Sequence, residues 1–454
     1  MRRLRRLVAA PLLLCAGCVQ TGNVGGWQPA APALRSEAQF TLGRGKIRHV
    51  VVIVQENRTV DNLFNGFPGA DTTKVGKNAQ GQTVDLQPTP LTAPYDLSHR
   101  HEAWVKDYNH GAMNGFNTES ENCHSRSHDC PPPSVASYGY VPRSEVEPYW
   151  EMARQYVFAN RAFQSSEGPS FPAHQYIISG TSTIATGSSI RAAENAVNPH
   201  HKGRQGGCDS DRATVVATIT TQGGPGEPVF PCFDRTSIMD SMNDASVSWR
   251  YYQERPGADS WNAVDAIRQI RYGSSYANVI WPSSRVLADI NNDKLAQVTF
   301  ITPSAKRSDH AGHTDGTGPD WVASIVNEIG KSKYWDSTAI FVVWDDWGGW
   351  YDHVKPVVYN SYELGFRVPL IAIGPYAKAK TISHKQHEFG SILKFVEEVF
   401  NLPSLGTTDA RADDLSDCFD FSQRPRAFVP IRTQHGPAYF LQQPPSDEPA
   451  DDDF

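Results

Sequence analysis

A chain of 454 residues with 39% hydrophobic residues, 11 Trp and 17 Tyr can bury a large core, and it carries neither internal repeats nor long low-complexity insertions. A formal charge of −7, with no Lys or Arg cluster beyond the first residues, argues against nucleic acid as a partner. With 35 Gly and 32 Pro, one large domain with elaborate loops is expected.

Residues 1–6 hold four arginines, residues 7–14 are apolar, and Cys15-Ala16-Gly17-Cys18 supplies small residues, which together read as an export signal. The apolar run is too short to span a bilayer as a stable helix. Leu14 to Cys18 resembles a bacterial lipobox with Cys18 as the lipidated residue, although Cys15 stands where Leu is usual. Ordinary cleavage nearby is the alternative. The expected divisions are a signal of lipoprotein type at 1–18, a small polar linker at 19–45, a folded domain at 46–435 and an acidic, Pro-rich tail at 436–454, disordered from Gln443. The expected location is outside the cytoplasm: periplasm, an outer-membrane anchor through Cys18, or the medium. Five cysteines then remain, and in an oxidising compartment Cys123 with Cys130 and Cys208 with Cys232 are natural pairs, leaving Cys418 over. None has the paired short spacing of a zinc site, so a metal would take oxygen ligands.

Along the folded part, residues 49–55 (HVVVIVQ) read as a buried strand, and 146–159 and 172–179 as helices. A loop-rich middle follows. Then come a strand at 298–302, a helix at 321–329, strands at 339–344 and 368–373, and a helix at 391–400. Near-continuous β-branched runs separated by helices predict an α/β sandwich, with a mostly parallel central sheet and helices on both faces. Ligands of such sheets bind outside the carboxyl ends of the strands. Glu56 and Asn57 follow the first strand, and Asp345 and Asp346 follow a later one, so all four can converge.

Residues 340–355 (IFVVWDDWGGWYDHVK) are the most informative stretch. Two adjacent carboxylates in a confined place need a cation or a shared proton, so a bound metal is expected at Asp345 and Asp346; a solvated turn is the plain alternative. Earlier, Gly168-Pro169 forces a tight turn before Ser170, leaving that hydroxyl at a helix N-terminus that favours an anion, or acting simply as an N-cap. No Gly-x-Ser-x-Gly elbow is present, which counts against an α/β-hydrolase. A serine activated by a metal needs no such elbow. Histidines gather in polar loops: His99 and His101, His110, His310 and His313, and His353. Several are placed to donate to a phosphoryl oxygen or protonate a leaving group, whereas His124, His128, His200 and His201 read as surface background.

The blocks HVVVIVQENRTVDNLF (49–64), EGPSFPAHQYIISG (167–180), Ser308-Asp309-His310 and WDDWGGWYDHV resemble the bacterial phosphoesterase family of phospholipases C and acid phosphatases, within the alkaline phosphatase superfamily. The resemblance spans roughly residues 46–405 and implies an alkaline-phosphatase-like sandwich. It further implies a divalent metal held by Glu56, Asn57, Asp345 and Asp346, with calcium, magnesium, manganese, iron and zinc all open. Ser170 would be the nucleophile, facing that metal. His99, His310 and His353 would surround the phosphoryl group, with His101 and His313 as neighbours. Many phospholipase members carry Thr at the nucleophile and Asp-Glu at the acidic pair, so Ser170 and Asp346 stand closer to the phosphatase-like pattern. No β domains of the longer phospholipases are expected after the core.

The function so implied is an exported or lipid-anchored, metal-dependent phosphoesterase working through a phosphoserine, of phospholipase C type. The partner is then a phosphoester, with phospholipid as the leading class, and a membrane if Cys18 is lipidated. The alternative is an acid phosphatase acting on phosphomonoesters. A sulfatase would need a C/S-x-P-x-R motif, and Ser170 is followed by Phe171-Pro172-Ala173-His174. A non-catalytic, ligand-binding surface lipoprotein would have lost a ligand or the nucleophile, yet every inferred position holds a competent residue.

Overall fold

Seven residues rich in Val and Ile, His49–Gln55, form strand β1, and all but the first are buried. The computed structural model describes residue 43, residues 45–126 and residues 130–451. The expectations for the signal, for Cys18 and for nearly all of the linker fall outside these residues. Seven further strands share a sheet with β1: β2 (Val157–Ala159), β3 (Trp249–Tyr252), β4 (Val279–Ile280), β5 (Val298–Ile301), β6 (Thr338–Trp344), β7 (Leu370–Ile373) and β8 (Thr381–Ser383). Their order is β4-β3-β5-β1-β6-β7-β2-β8. Only β7 runs against the rest, pairing antiparallel with β6 and β2.

Successive residues of a strand point to opposite faces, and all seven residues of β6 are buried, so both faces of the sheet are covered. The covering helices are α1 (Glu147–Gln155), α2 (Ser170–Ser179), α3 (Gly318–Lys331) and α4 (Phe389–Phe400). α1 packs on α3, and α2 on α4. α3 begins with Pro in its first turn and buries Trp321, Val322, Ile325, Val326 and Ile329 on its inner side. α4 starts on a reciprocal cap between Glu388 and Ser391 and ends where Asn401 turns left-handed. The predicted α/β sandwich is therefore the observed fold.

Three expectations need correction. The helix read over 146–159 stops at Gln155, because Val157–Ala159 is claimed as a strand by β7 and β8. The loop-rich middle contains an antiparallel sheet of Arg191–Val197, Val215–Ile219 and Pro225–Val229. The tail is ordered through Asp451: a short helix spans Pro437–Gln442, and Asp451 is buried to 3% exposure. Both expected disulfides, Cys123–Cys130 and Cys208–Cys232, are formed, and Cys418 is a buried free thiol. Among the described residues, no helix is long and apolar enough to cross a membrane.

Candidate active site

The register between β1 and β6 sets the site. Gln55 stands opposite Trp344 at the last paired position, and the Asp345 amide donates to the Gln55 carbonyl at 3.0 Å. The next residues on each strand, Glu56-Asn57 and Asp345-Asp346, are thus delivered side by side at the carboxyl edge of the parallel sheet. Asn57 takes the left-handed backbone, with φ of 62°, and its amide donates to Asp345 Oδ1 at 3.0 Å. After Asp346 the chain turns through Gly348, whose amide donates to Asp346 Oδ1 at 2.7 Å.

Ser170 opens α2, as its preceding Gly-Pro pair predicts, and is fully buried. Its Oγ donates to Asp346 Oδ2 at 3.3 Å. One turn later α2 presents His174, whose Nε2 lies 3.1 and 3.3 Å from the Glu56 oxygens and 3.7 Å from Asp345 Oδ2. Glu56, His174 and Asp345 can together present ligand atoms to one ion. Sequence reading missed His174. The spacing from Ser170 was visible, but only the tertiary placement of α2 brings its ring to Glu56, just past the end of β1.

Electrostatics favour a cation here. Burial, and then the charge of Asp345, push the Glu56 carboxyl well above its ordinary value, and the same two causes act on Asp346. Burial drives His174 down to about 4, against the pull of Asp345 and Asp451, so its ring is neutral at physiological pH. Neither polar atom of the buried Asn57 side chain has a partner, nor does Asp345 Oδ2. Orphaned oxygens of this kind beside crowded carboxylates fit a divalent metal held by Glu56, Asn57, Asp345, Asp346 and the Ser170 hydroxyl, with His174 as a further donor.

A second group adjoins the first. His99 gives Nδ1 to the Leu97 carbonyl at 2.7 Å, and His310 gives Nδ1 to that of Ala311 at 2.8 Å, so both present Nε2. Their ring centroids are 5.7 Å apart. The two Nε2 atoms lie 3.1 and 3.4 Å from Asp451 Oδ1. Burial alone would lower His99, but the charges of Asp451 and Asp346 hold it well above the ordinary imidazole value. Asp309 is pushed up to about 7 by burial and is fixed by Tyr149 at 2.7 Å and Trp344 at 3.2 Å, which sets the loop bearing His310.

The structure brings together Glu56, Asn57, Ser170, Asp345 and Asp346, with His99 and His310 beside them. It places His353 elsewhere: Nδ1 meets Asp61 at 2.6 Å and Nε2 meets Asp71 at 3.1 Å, next to a buried Arg367–Asp352 pair. His101 bonds the Glu167 carbonyl, and His313 lies 5.1 Å from His310.

The Phosphoesterase family matches residues 47–403. The chain is 24% identical to the hemolytic phospholipase C of Pseudomonas aeruginosa, over 83% of this chain and 56% of that protein. It is 24% identical to phospholipase C A of Mycobacterium tuberculosis (85% and 79% covered) and 23% identical to non-specific phospholipase C1 of Arabidopsis thaliana (85% and 73%). It thus spans little more than half the length of the Pseudomonas relative. A solved protein in the alkaline phosphatase superfamily from Vibrio parahaemolyticus aligns over 81% of this chain and 70% of its own, at 11% identity and a TM-score of 0.34.

Proposed function

Because this chain belongs to the Phosphoesterase family, we propose that it hydrolyses phosphoester bonds with Ser170 as nucleophile at a divalent metal held by Glu56, Asn57, Asp345 and Asp346. The observation that carries this reading is Ser170 Oγ at the start of α2, 3.3 Å from Asp346, in a buried site where Asp345 Oδ2 and the Asn57 side-chain amide lack partners. The metal, when bound, supplies positive charge that acidifies the serine hydroxyl and offsets the charge of the phosphoryl group. Ser170 directs its proton at Asp346 Oδ2, leaving its lone pairs for in-line attack on phosphorus. The P–O bond to the alcohol breaks, a phosphoserine forms, and water then cleaves it to free phosphate or phosphomonoester. His99 and His310 present Nε2 toward one point, where they steady phosphoryl oxygens and protonate the departing alcohol. His353, the third histidine expected around the phosphoryl group, serves this reading by clamping the loop after Asp346 to Asp61 and Asp71.

For the substrate, the names of the relatives favour a phospholipase C reaction, releasing diacylglycerol. Phosphomonoester hydrolysis is the second reading. It is favoured by the cationic side chains of Arg100 and Lys202 on the wall of a cleft of about 250 Å³ that reaches Asn195 and Asp451. The mature protein, assayed on p-nitrophenyl phosphate and phosphatidylcholine with and without chelator, separates the two. Chelator-sensitive phosphocholine release supports the first, monoester cleavage alone supports the second, and no activity on either refutes both. Export, and an anchor through Cys18, belong to the same proposal; the two disulfides support an oxidising compartment.

A further inference from the structure

Residues 443–451 do not trail away from the domain. Arg255 donates to the carbonyls of Ser446 and Pro445 at 3.0 and 3.1 Å and pairs with Asp447 at 2.6 Å. Glu254 takes the Ser446 amide at 2.8 Å, and Glu448 meets His313 at 3.2 Å. Ala450 packs against Trp261 and Ala305. The next residue, Asp451, enters the left-handed region with φ of 42° and sinks its carboxylate into the site.

Three side chains from three separate segments meet that carboxylate. His99 Nε2 reaches Oδ1 at 3.1 Å, His310 Nε2 lies 3.4 Å from the same oxygen, and Asn195 Nδ2 donates to Oδ2 at 2.6 Å. The other end of the Asn195 amide accepts the Phe171 N–H at 2.9 Å, beside the proposed nucleophile. A fourth carboxylate next to Glu56, Asp345 and Asp346 is repelled by all three, so its place there requires a built anion hole. Burial alone would raise Asp451, yet the charge of His99 and the hydrogen bonds of both histidines hold it well below the ordinary carboxylate range.

We infer that Asp451 occupies the subsite for the substrate's phosphoryl group, that Asn195 is the third donor of that subsite, and that segment 443–451 is an intramolecular competitor of the substrate. This rests on the phosphoesterase reading above. The carboxylate presents two anionic oxygens to donors that a phosphoryl group would use, and both cannot be present at once. The substrate therefore meets a site that is free for only a fraction of the time, and its apparent affinity falls by that fraction. A tether this short keeps the competitor at an effective concentration in the millimolar range.

The test uses the full chain with Asp451→Ala and, remote from the chemistry, Arg255→Ala, which releases the segment from its anchor. Steady-state assays with p-nitrophenyl phosphate should show KM falling roughly three- to tenfold in both variants, with kcat unchanged. The inhibition constant for inorganic phosphate should fall in parallel. In the Asp451→Ala background, Asn195→Ala should raise that constant at least about tenfold, the loss expected for one hydrogen bond to a charged group. Unchanged KM and phosphate affinity in both variants overturns the inference. So does loss of kcat together with bound metal in Asp451→Ala, which makes Asp451 a ligand. If the wild type cleaves no phosphoester, the earlier reading fails on its own. Calorimetry with inorganic phosphate then still decides this one, since tighter binding by Asp451→Ala supports it and equal binding refutes it.

Discussion

At the scale of single residues, the buried polar atoms near Ser170 divide between holding an ion and holding an anion. Ser170→Ala removes the proposed nucleophile but no packing partner of size, so turnover should drop to background in a phosphoesterase assay while the melting temperature stays within a degree or two. His174→Gln should weaken metal affinity by roughly 10- to 100-fold, the usual loss when a ligand's close partner is removed, measured by metal titration of the chelated protein. A ring that merely fills space would leave that affinity unchanged. Glu56, Asn57, Asp345, Asp346 and Ser170 were legible in the sequence because strand ends and a Gly-Pro turn mark them locally. His174, Asn195 and Asp451 were not. Each acts through a neighbour more than 100 residues away or on another segment, and nothing local in a helix, a strand or an acidic tail announces that.

Secondary-structure elements carry the site by their ends. Gly348, with φ of 60°, lies so close to the first strand's edge that an added Cβ would stand 2.4 Å from the Asn57 carbonyl oxygen. Gly348→Ala should therefore push Asn57 and Asp346 apart, costing roughly 1–3 kcal/mol of stability and lowering metal affinity, read by chemical denaturation and metal titration. The start of α4 depends on Asp413, which takes hydrogen bonds from His387 at 2.8 Å and Ser391 at 2.7 Å and faces Lys385 at 3.3 Å. Burial would raise this carboxyl, but those partners outweigh it and hold it at about 2. A depressed folded-state value stabilises the fold fully above the unfolded value near 4 and loses that contribution as pH falls toward 2. The gap amounts to about 2 kcal/mol. Asp413→Asn should therefore be less stable than the wild type by about that much at pH 7, with the difference shrinking between pH 4 and pH 2 in denaturant titrations. Most of these elements are readable from periodicity: β1, β5, β6 and α2 to α4 lie within a few residues of expectation. The helix over 146–159 failed because tertiary pairing of Val157–Ala159 overrides a local pattern that continues α1.

For the whole molecule, a sheet of seven parallel strands and one reversed strand delivers residues 56 and 345 from the neighbouring ends of β1 and β6, and α2, the three-stranded sheet, two loops and the tail add residues 170, 195, 99, 310 and 451 around them. The middle of the chain, which adds Asn195, is tied by Cys208–Cys232, two residues 24 apart in sequence. Opening that link by Cys208→Ser should cost roughly 3 kcal/mol, seen as a lower melting temperature, and reductant should then have less further effect on the variant than on the wild type. The tail fold was hidden from composition because Pro and Asp usually solvate a chain, and only the anion hole of His99, His310 and Asn195 gives Asp451 a reason to be buried. The most direct measurement of the central claim is acid quenching of the metal-loaded enzyme during turnover of p-nitrophenyl phosphate, followed by peptide mass spectrometry. A single phosphoryl group on the peptide bearing Ser170, absent from Asp345→Asn and from chelated enzyme, is the result predicted. Full turnover with no phosphorylated Ser170, or turnover retained in Ser170→Ala, would contradict it.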